Sequence, residues 1–147
     1  MEFVKEESAG YLVNHMARIF AQGLSSRIKP LGLSTGTFPA LLELWDQDGL
    51  TQRDLVKRLD IEQATMANTL NRMARDGLVI RKKDPNDGRA QRIWLTDHAR
   101  GLQEPAVAAA MAVNDAALAG LDPQERQLLM SLMRRVIAGA AEGNPLK

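Results

Sequence analysis

Residues 63–75 combine hydrogen-bonding side chains with a narrow apolar stripe. Met66, Leu70 and Met73 follow spacings of four and three residues, which predicts a helix with one buried face. The other face then carries amide, hydroxyl and guanidinium groups. Gln or Asn can pair with adenine, Arg with guanine, and a methyl group can touch thymine, so this face suits the base edges of a DNA major groove. The side chains concerned are Gln63, Ala64, Thr65, Asn68 and Arg72.

A second candidate group is the polar turn from Asp84 to Ala90. It places Arg89 directly after the turn residues Asp87 and Gly88. A long cationic side chain in such a position can enter the narrow, electronegative minor groove of DNA. We expect Asp87 to lie close enough to orient Arg89.

Helices must position both groups. Apolar residues with helical spacing predict a first helix over about residues 9–29. Ser34 is expected to cap a second helix, and Thr51 with Asp54 resembles a capping box that begins a short third helix. The fourth helix, which carries the polar face, begins around residues 60–62 and ends at Asp76 and Gly77.

The periodicity then changes. Short β-branched and aromatic stretches at residues 78–83 and 91–95 flank the polar turn and predict a hairpin. Thr96 is expected to cap a fifth helix that Pro105 kinks. Asp122 begins the last helix, in which six apolar residues form a stripe too wide for one neighbouring helix. The six are Leu128, Leu129, Leu132, Met133, Val136 and Ile137.

The order of elements is four helices, a hairpin and two helices, so the fold class is mainly α with a small β-hairpin. Two successive short helices followed by a hairpin with a basic tip have the arrangement of a winged helix-turn-helix DNA-binding domain.

Charge is unevenly distributed along the 147 residues. The net charge is +1, but residues 51–100 hold 11 basic and 7 acidic side chains, a balance of +4. The two flanks together hold 8 basic and 11 acidic side chains. A basic centre between acidic flanks indicates that a polyanion contacts the middle of the chain.

Composition excludes several classes of protein. The chain has no Cys and only two His, which removes thiol chemistry and leaves a poor set of metal ligands, so we expect no metal and no cofactor. The apolar runs are shorter than the roughly 18 residues of a membrane span, and the N-terminus is acidic where a signal peptide is basic. We expect a cytoplasmic protein without membrane contact. Neither a phosphate-binding glycine loop nor a nucleophile with its base is evident, which argues against an enzyme.

The stretch from Thr51 to Gly101 resembles the MarR (multiple antibiotic resistance regulator) family of transcriptional regulators. That family has a wing motif Asp-x-x-Asp-x-Arg followed by Leu-Thr, and the matching residues here are Asp84, Asp87, Arg89, Leu95 and Thr96. The order of the flanking helices extends the resemblance over nearly the whole chain.

The resemblance implies a single MarR-like chain over residues 1–147, with a winged helix-turn-helix in residues 34–100 and dimerisation helices in residues 1–30 and 101–147. It implies a homodimeric repressor on the double-stranded DNA of a pseudo-palindromic operator, with half-sites about 34 Å apart. Thr65, Asn68 and Arg72 would enter the major groove, and Arg89 the minor groove. Gln63 and Ala64 depart from the small residues common at this point, which affects the operator sequence more than the binding.

The resemblance further implies release from DNA by a small aromatic or phenolic effector. Tyr11, His15 and Arg18 lie near one side of the first helix, where a phenol and a cation could meet an aromatic carboxylate. They are the candidate ligand-binding residues. A competing interpretation of the whole chain remains open, in which the winged helix is a protein-interaction module whose basic face binds an acidic protein partner.

Overall fold

The computed structural model describes residues 1–143 and 146. Residues 144, 145 and 147 of the expected C-terminal dimerisation segment lie outside the described residues. Two short 3₁₀ helices, Lys5–Glu7 and Lys29–Leu31, flank the first long helix. The helices are α1 (Ala9–Ile28), α2 (Phe38–Asp46), α3 (Gln52–Leu59), α4 (Gln63–Arg75), α5 (Asp97–Gly101), α6 (Gln103–Ala117) and α7 (Pro123–Ala141), and the strands are β1 (Leu50–Thr51), β2 (Val79–Lys83) and β3 (Gln91–Leu95).

The three strands form an antiparallel sheet in the order β1-β3-β2. The predicted hairpin is confirmed, with a register that runs from Val79 opposite Leu95 to Lys83 opposite Gln91. Strand β1, which the sequence analysis did not predict, pairs Thr51 with Arg92. Two residues are too few to show a period of two, so β1 is defined by its partner strand. The fold is therefore mainly helical with a small sheet, as expected.

The hydrophobic core lies between the helices and the sheet. Met66, Leu70 and Met73 of α4 are at most 1% exposed, which confirms the predicted stripe. Burial of a side chain of this size contributes about 1.5–3 kcal/mol, so these three residues fix which face of α4 points outward. The same core includes Leu41, Leu44, Leu55, Val79, Ile93 and Leu95.

Side-chain caps mark several helix starts as predicted. Thr51 and Asp54 form a complete capping box at α3, and Asp122 and Glu125 form another at α7. Thr96 accepts a hydrogen bond from the backbone N–H of Ala99 at α5.

The prediction that Ser34 caps the second helix was wrong. Helix α2 begins at Phe38, because a turn forms first, in which the Thr37 N–H and hydroxyl both donate to the Ser34 carbonyl oxygen at 3.3 and 3.2 Å. The second residue of α2 is Pro39, which has no N–H that a capping side chain could accept. Ser34 therefore closes the turn and not the helix.

Pro105 was expected to kink one helix, but the chain forms two. Helix α5 ends at Gly101 and α6 begins at Gln103. A proline ring collides with the carbonyl group four residues earlier, which here is that of Gly101. As the third residue of α6, Pro105 occupies a position whose N–H would have no partner within the helix. Ending α5 removes the collision, and Pro105 itself loses no hydrogen bond in this position.

The turn between α2 and β1 is attached to β3 at Gly49. The Gly49 N–H donates to the carbonyl oxygen of Ile93 and to Oδ1 of Asp48, both at 3.0 Å. Gly49 has φ +75°, and a Cβ at this position would lie 2.5 Å from the ring of Trp94. This position therefore requires glycine for two independent reasons.

Asp48 ties the same turn to the end of β3 and to α5. Its Oδ1 also accepts from the Leu95 N–H at 2.9 Å, and its Oδ2 pairs with Arg100 at 3.1 Å. Nearby, the indole N–H of Trp45 donates to the carbonyl oxygen of Ala99 at 3.0 Å. Helix α5 is consequently held against the central part of the chain that contains α2 and the sheet.

The long terminal helices are far more exposed than the core. Helix α1 packs on α6, where Val113 lies against the backbone of Gly23. Helix α7 buries none of its residues, and Val136 and Ile137 are 73% and 69% exposed. No helix within the described residues is long and apolar enough to cross a bilayer.

We predict that Gly49→Ala destabilises the protein by about 2–5 kcal/mol. A positive φ costs a non-glycine residue about 1–2 kcal/mol, and crowding against Trp94 adds about 1–3 kcal/mol. Gly32→Ala is the matched control, because Gly32 has φ +76° but the described residues leave nothing within 4 Å of an added Cβ. Urea unfolding of both variants measures the difference, and equal losses would contradict the role given to Trp94.

Candidate nucleic-acid interface

Helix α4 presents its polar face to solvent. Burial of the stripe opposite leaves all five side chains predicted for DNA contact exposed. The hydroxyl of the buried Thr69 donates to the Thr65 carbonyl oxygen at 2.9 Å, which satisfies it within the helix. The exposed residues are Gln63, Ala64, Thr65, Asn68 and Arg72.

A concave space of about 740 Å³ separates the beginnings of α3 and α4 from the wing, the hairpin turn between β2 and β3. We call it the wing cleft. It brings together three of the predicted residues, Gln63, Asp87 and Arg89. Ala64, Thr65, Asn68 and Arg72 continue along α4 outside the cleft. The other lining residues are Thr51, Gln52, Arg53, Asp54, Lys83, Asp84, Gly88, Ala90 and Gln91.

Sequence reasoning missed Gln52, Arg53, Lys83 and Gln91 as members of this site. Gln52 and Arg53 are the first two residues of α3, and the capping box of Thr51 with Asp54 marked that helix start in the sequence. The first N–H groups of a helix have no partner within the helix, and beside a basic wing they can hydrogen-bond to a phosphate oxygen. The available signal was therefore the capping box itself.

Asp54 gives this helix start a stable negative partner. Its carboxylate accepts from the Thr51 N–H at 3.0 Å, and the Asp54 N–H donates to the Thr51 hydroxyl at 3.0 Å. The backbone hydrogen bond from Thr51 is the main cause that lowers the pKa of Asp54 below its usual value, against the opposing effect of partial burial. The box thus stays charged and closed at neutral pH.

Backbone hydrogen bonds shape the tip of the wing. Oδ1 of Asp87 accepts from the Arg89 N–H at 3.0 Å, and the Ala90 N–H donates to the Asp87 carbonyl oxygen at 3.0 Å. Within the described residues no ion pair joins the Asp87 carboxylate to the Arg89 guanidinium. Asp87 therefore fixes the backbone that carries Arg89, whereas the sequence predicted that it orients the Arg89 side chain. The Arg89 side chain is exposed.

Arg72 lies at the far end of the polar face. Its Nη2 atom is 3.2 Å from the position that a Cβ of Gly36 would occupy, so the guanidinium lies beside the turn before α2. The missing side chain of Gly36 leaves room for it.

The three candidate ligand-binding residues lie on the surface of α1. The rings of Tyr11 and His15 meet edge to face with centroids 6.5 Å apart, and Lys5 Nζ is 5.9 Å from the Tyr11 ring centroid. Arg18, three residues after His15, is also exposed. None of the three lines the wing cleft.

Comparison with known proteins identifies the family. The sequence model of the MarR family matches residues 31–90, which contain β1, α2 to α4 and most of the wing. The transcriptional regulator HosA of Escherichia coli O111:H- is 30% identical over 105 residues, which cover 71% of this chain and 78% of HosA. The chain belongs to the MarR family. This is a family of DNA-binding transcriptional regulators and not of enzymes.

Two further relatives match a longer stretch of this MarR-family protein. The HTH-type transcriptional repressor Rv2887 of Mycobacterium tuberculosis is 27% identical over 128 residues, covering 86% of this chain and 92% of the repressor. A solved structure of Bordetella bronchiseptica BpsR, whose DNA binding is regulated by 6-hydroxynicotinic acid, is 27% identical with a TM-score of 0.84. That match covers 92% of this chain and 97% of BpsR, so the terminal helices share the fold as well.

Proposed function

We propose that this MarR-family regulator binds a pseudo-palindromic operator as a homodimer, and acts as a repressor that a small aromatic ligand releases. The observation that carries the proposal is the wing cleft, which places Arg89 opposite the beginning of α4. One copy can thereby approach the major and the minor groove of the same duplex. Similarity to the repressor Rv2887 supports repression over activation.

The polar face of α4 is suited to the major groove. A helix of 13 residues is about 20 Å long, and the major groove is about 12 Å wide and admits one helix. Gln63 and Asn68 supply amides for adenine, Arg72 supplies a guanidinium for guanine, and Ala64 and Thr65 supply methyl groups for thymine. Each of these side chains is exposed and needs no rearrangement of the core.

The wing is suited to the adjacent minor groove. Arg89 is exposed at its tip, and Asp87 holds the backbone on which Arg89 sits. Arg53 and Lys83 line the same cleft, where they can neutralise phosphates on the flanks. The wing therefore adds affinity for DNA and makes that affinity depend on the width of the minor groove.

Homodimerisation through the terminal helices accounts for their exposed apolar side chains. Helix α1 exposes Leu12, Val13 and Ile19 by 45–57%, and α7 exposes Val136 and Ile137 still more. A stable interface buries about 1,200–2,000 Å² in total, which two long helices from each copy can provide. Two copies related by a twofold axis would present their α4 helices to half-sites about 34 Å apart.

An aromatic effector fits the residues on α1. Arg18 offers a cation for a carboxylate, while Tyr11 and His15 already form an aromatic pair beside it. The regulation of BpsR by 6-hydroxynicotinic acid supports aromatic acids as the ligand class. Such a ligand shifts the protein only by binding one arrangement of the dimer more tightly than the other.

We predict that Arg89→Ala and Arg72→Ala each weaken DNA binding roughly five- to hundredfold, the loss expected for one base contact. Fluorescence anisotropy measures it, on duplexes that the unaltered protein selects from a randomised library. Arg126→Ala is the control, because Arg126 pairs with Asp115 of α6 and does not line the wing cleft. Unchanged affinity in both Arg89 and Arg72 variants would refute the assigned contacts, and failure to select any duplex would refute DNA binding.

We predict that the protein sediments as a dimer at micromolar concentration and that Val136→Glu with Ile137→Glu dissociates it. Two buried carboxylates at an apolar interface are strongly unfavourable without partners. The control is Ile80→Glu, which adds a charge at a side chain that is 45% exposed on β2. Circular dichroism must show that the monomeric variant keeps its helices. A monomeric unaltered protein would contradict the proposal.

We predict that aromatic carboxylates, with 6-hydroxynicotinic acid as the first probe, release the selected duplex. Arg18→Ala should weaken ligand binding about tenfold or more, because a hydrogen bond to a charged group contributes about 1.5–3 kcal/mol. Isothermal titration calorimetry measures the affinity, with Arg27→Ala as control, since Arg27 donates to the Gly23 carbonyl oxygen within α1. Release that is identical in the Arg18 variant would exclude this site.

A further inference from the structure

Arg92 of β3 contacts two separate parts of the chain with one guanidinium group. Nη1 donates to the carbonyl oxygen of Gly49 at 2.8 Å, and Nη2 pairs with Oδ2 of Asp84 at 3.2 Å. The side chains of Arg92 and Asp84 are 38% and 10% exposed, so the Asp84 carboxylate is largely sheltered from solvent while the Arg92 side chain remains partly exposed.

Asp84 connects Arg92 to the wing. Its Oδ1 accepts from the Asn86 N–H at 2.9 Å, and its own N–H donates to the Ala90 carbonyl oxygen at 2.9 Å. One oxygen of the carboxylate therefore accepts a hydrogen bond within the turn, and the other pairs with Arg92. The turn held in this way is the one that carries Arg89.

Gly49 connects Arg92 to the opposite wall of the wing cleft. Gly49 directly precedes β1, which ends at Thr51, the residue that caps α3. Thr51 is also the strand partner of Arg92. Arg92 thus bridges, from behind, the two walls between which DNA is proposed to lie.

The strands alone leave the wing weakly supported. Strand β1 pairs with β3 only at Ile93 and Arg92, so the hairpin beyond these residues has no third strand beside it. A two-stranded hairpin is marginally stable at best without further packing. Of the two β3 residues that pair with β1, Arg92 is the nearer to the hairpin turn, and its side chain extends the support to the turn.

We propose that Arg92 is a positioning residue that sets the distance of Arg89 from the beginnings of α3 and α4. It thereby determines how strongly the protein selects the bases flanking each half-site. This inference rests on the proposed minor-groove contact of Arg89. Arg92 acts through the wing and not through contact with DNA.

The experiment compares Arg92→Gln, Arg92→Lys and Arg89→Ala in selections from a duplex library with randomised core and flanks. Flank selectivity should fall in Arg92→Gln by about the factor seen in Arg89→Ala, roughly five- to hundredfold, while core selectivity persists. Arg92→Lys should lose flank selectivity too, because an ammonium group cannot serve both acceptors in the fork geometry of a guanidinium. In the Arg89→Ala background, Arg92→Gln should change flank selectivity little further.

Controls separate positioning from stability. Arg81→Gln removes another hairpin arginine, which donates to Asn71 of α4, and should leave flank selectivity unchanged. Thermal unfolding of every variant checks the fold. If Arg92→Gln unfolds, Asp84→Asn removes the charge of the partner and should shift flank selectivity in the same direction.

Each remaining outcome contradicts the proposal in a distinct way. Normal flank selectivity in Arg92→Gln, with loss in Arg89→Ala, refutes positioning and leaves the proposed function intact. Unchanged flank selectivity in Arg92→Lys shows that Arg92 acts only as a positive charge near a phosphate group. Normal flank selectivity in Arg89→Ala refutes the wing contact itself, and with it the route by which Arg92 acts.

Discussion

The carboxylate of Asp48 holds together elements that are distant in sequence. It accepts hydrogen bonds from its neighbour Gly49 and from Leu95 at the end of the hairpin, and it pairs with Arg100 of α5. Helix α3 follows this turn almost at once, and α4 follows α3 after a short connection. The position of α3 and α4 relative to the hairpin therefore depends in part on one turn that is fixed on three sides. Hydrophobic burial orients α4, and these hydrogen bonds hold the turn before α3 against the end of β3.

The terminal helices follow a different principle. The central part of the chain encloses its own core, but α7 buries nothing and α1 is buried mainly towards its C-terminal end. Apolar side chains that a single copy leaves in water represent unused hydrophobic free energy. For the proposed homodimer this division is useful, because association of two copies can use the terminal helices without disturbing the surface proposed to contact DNA.

Local patterns in the sequence predicted much of this structure. The stripe of Met66, Leu70 and Met73 located the polar face of α4, and the box of Thr51 with Asp54 located the start of α3, since both signals are contained within a few neighbouring residues. The wrong cap at Ser34 has a local cause, the turn from Ser34 to Thr37, but other features that the sequence did not predict involve contacts between distant residues. Strand β1 exists through pairing with β3, and Arg92 reaches Gly49 across 43 positions of the chain. Periodicity carries no information on such contacts.

Helix boundaries show the same limit. Pro105 predicts an interruption of the helix, but whether the helix bends or ends there depends on the contacts that the residues before Pro105 make. Here Arg100 is engaged by Asp48 and the Ala99 carbonyl oxygen by Trp45, so α5 stays with the central part and a break at Leu102 follows.

Both tryptophans of the chain lie at the turn that Asp48 holds. The indole of Trp45 is hydrogen-bonded to α5, and that of Trp94 covers the backbone of Gly49. The terminal helices contribute no indole, only the phenol of Tyr11. Intrinsic fluorescence excited at the red edge of the protein's absorption is thus an inbuilt optical probe of this single junction, and a change in emission on adding DNA or a small molecule reports that the disturbance has reached the base of the wing.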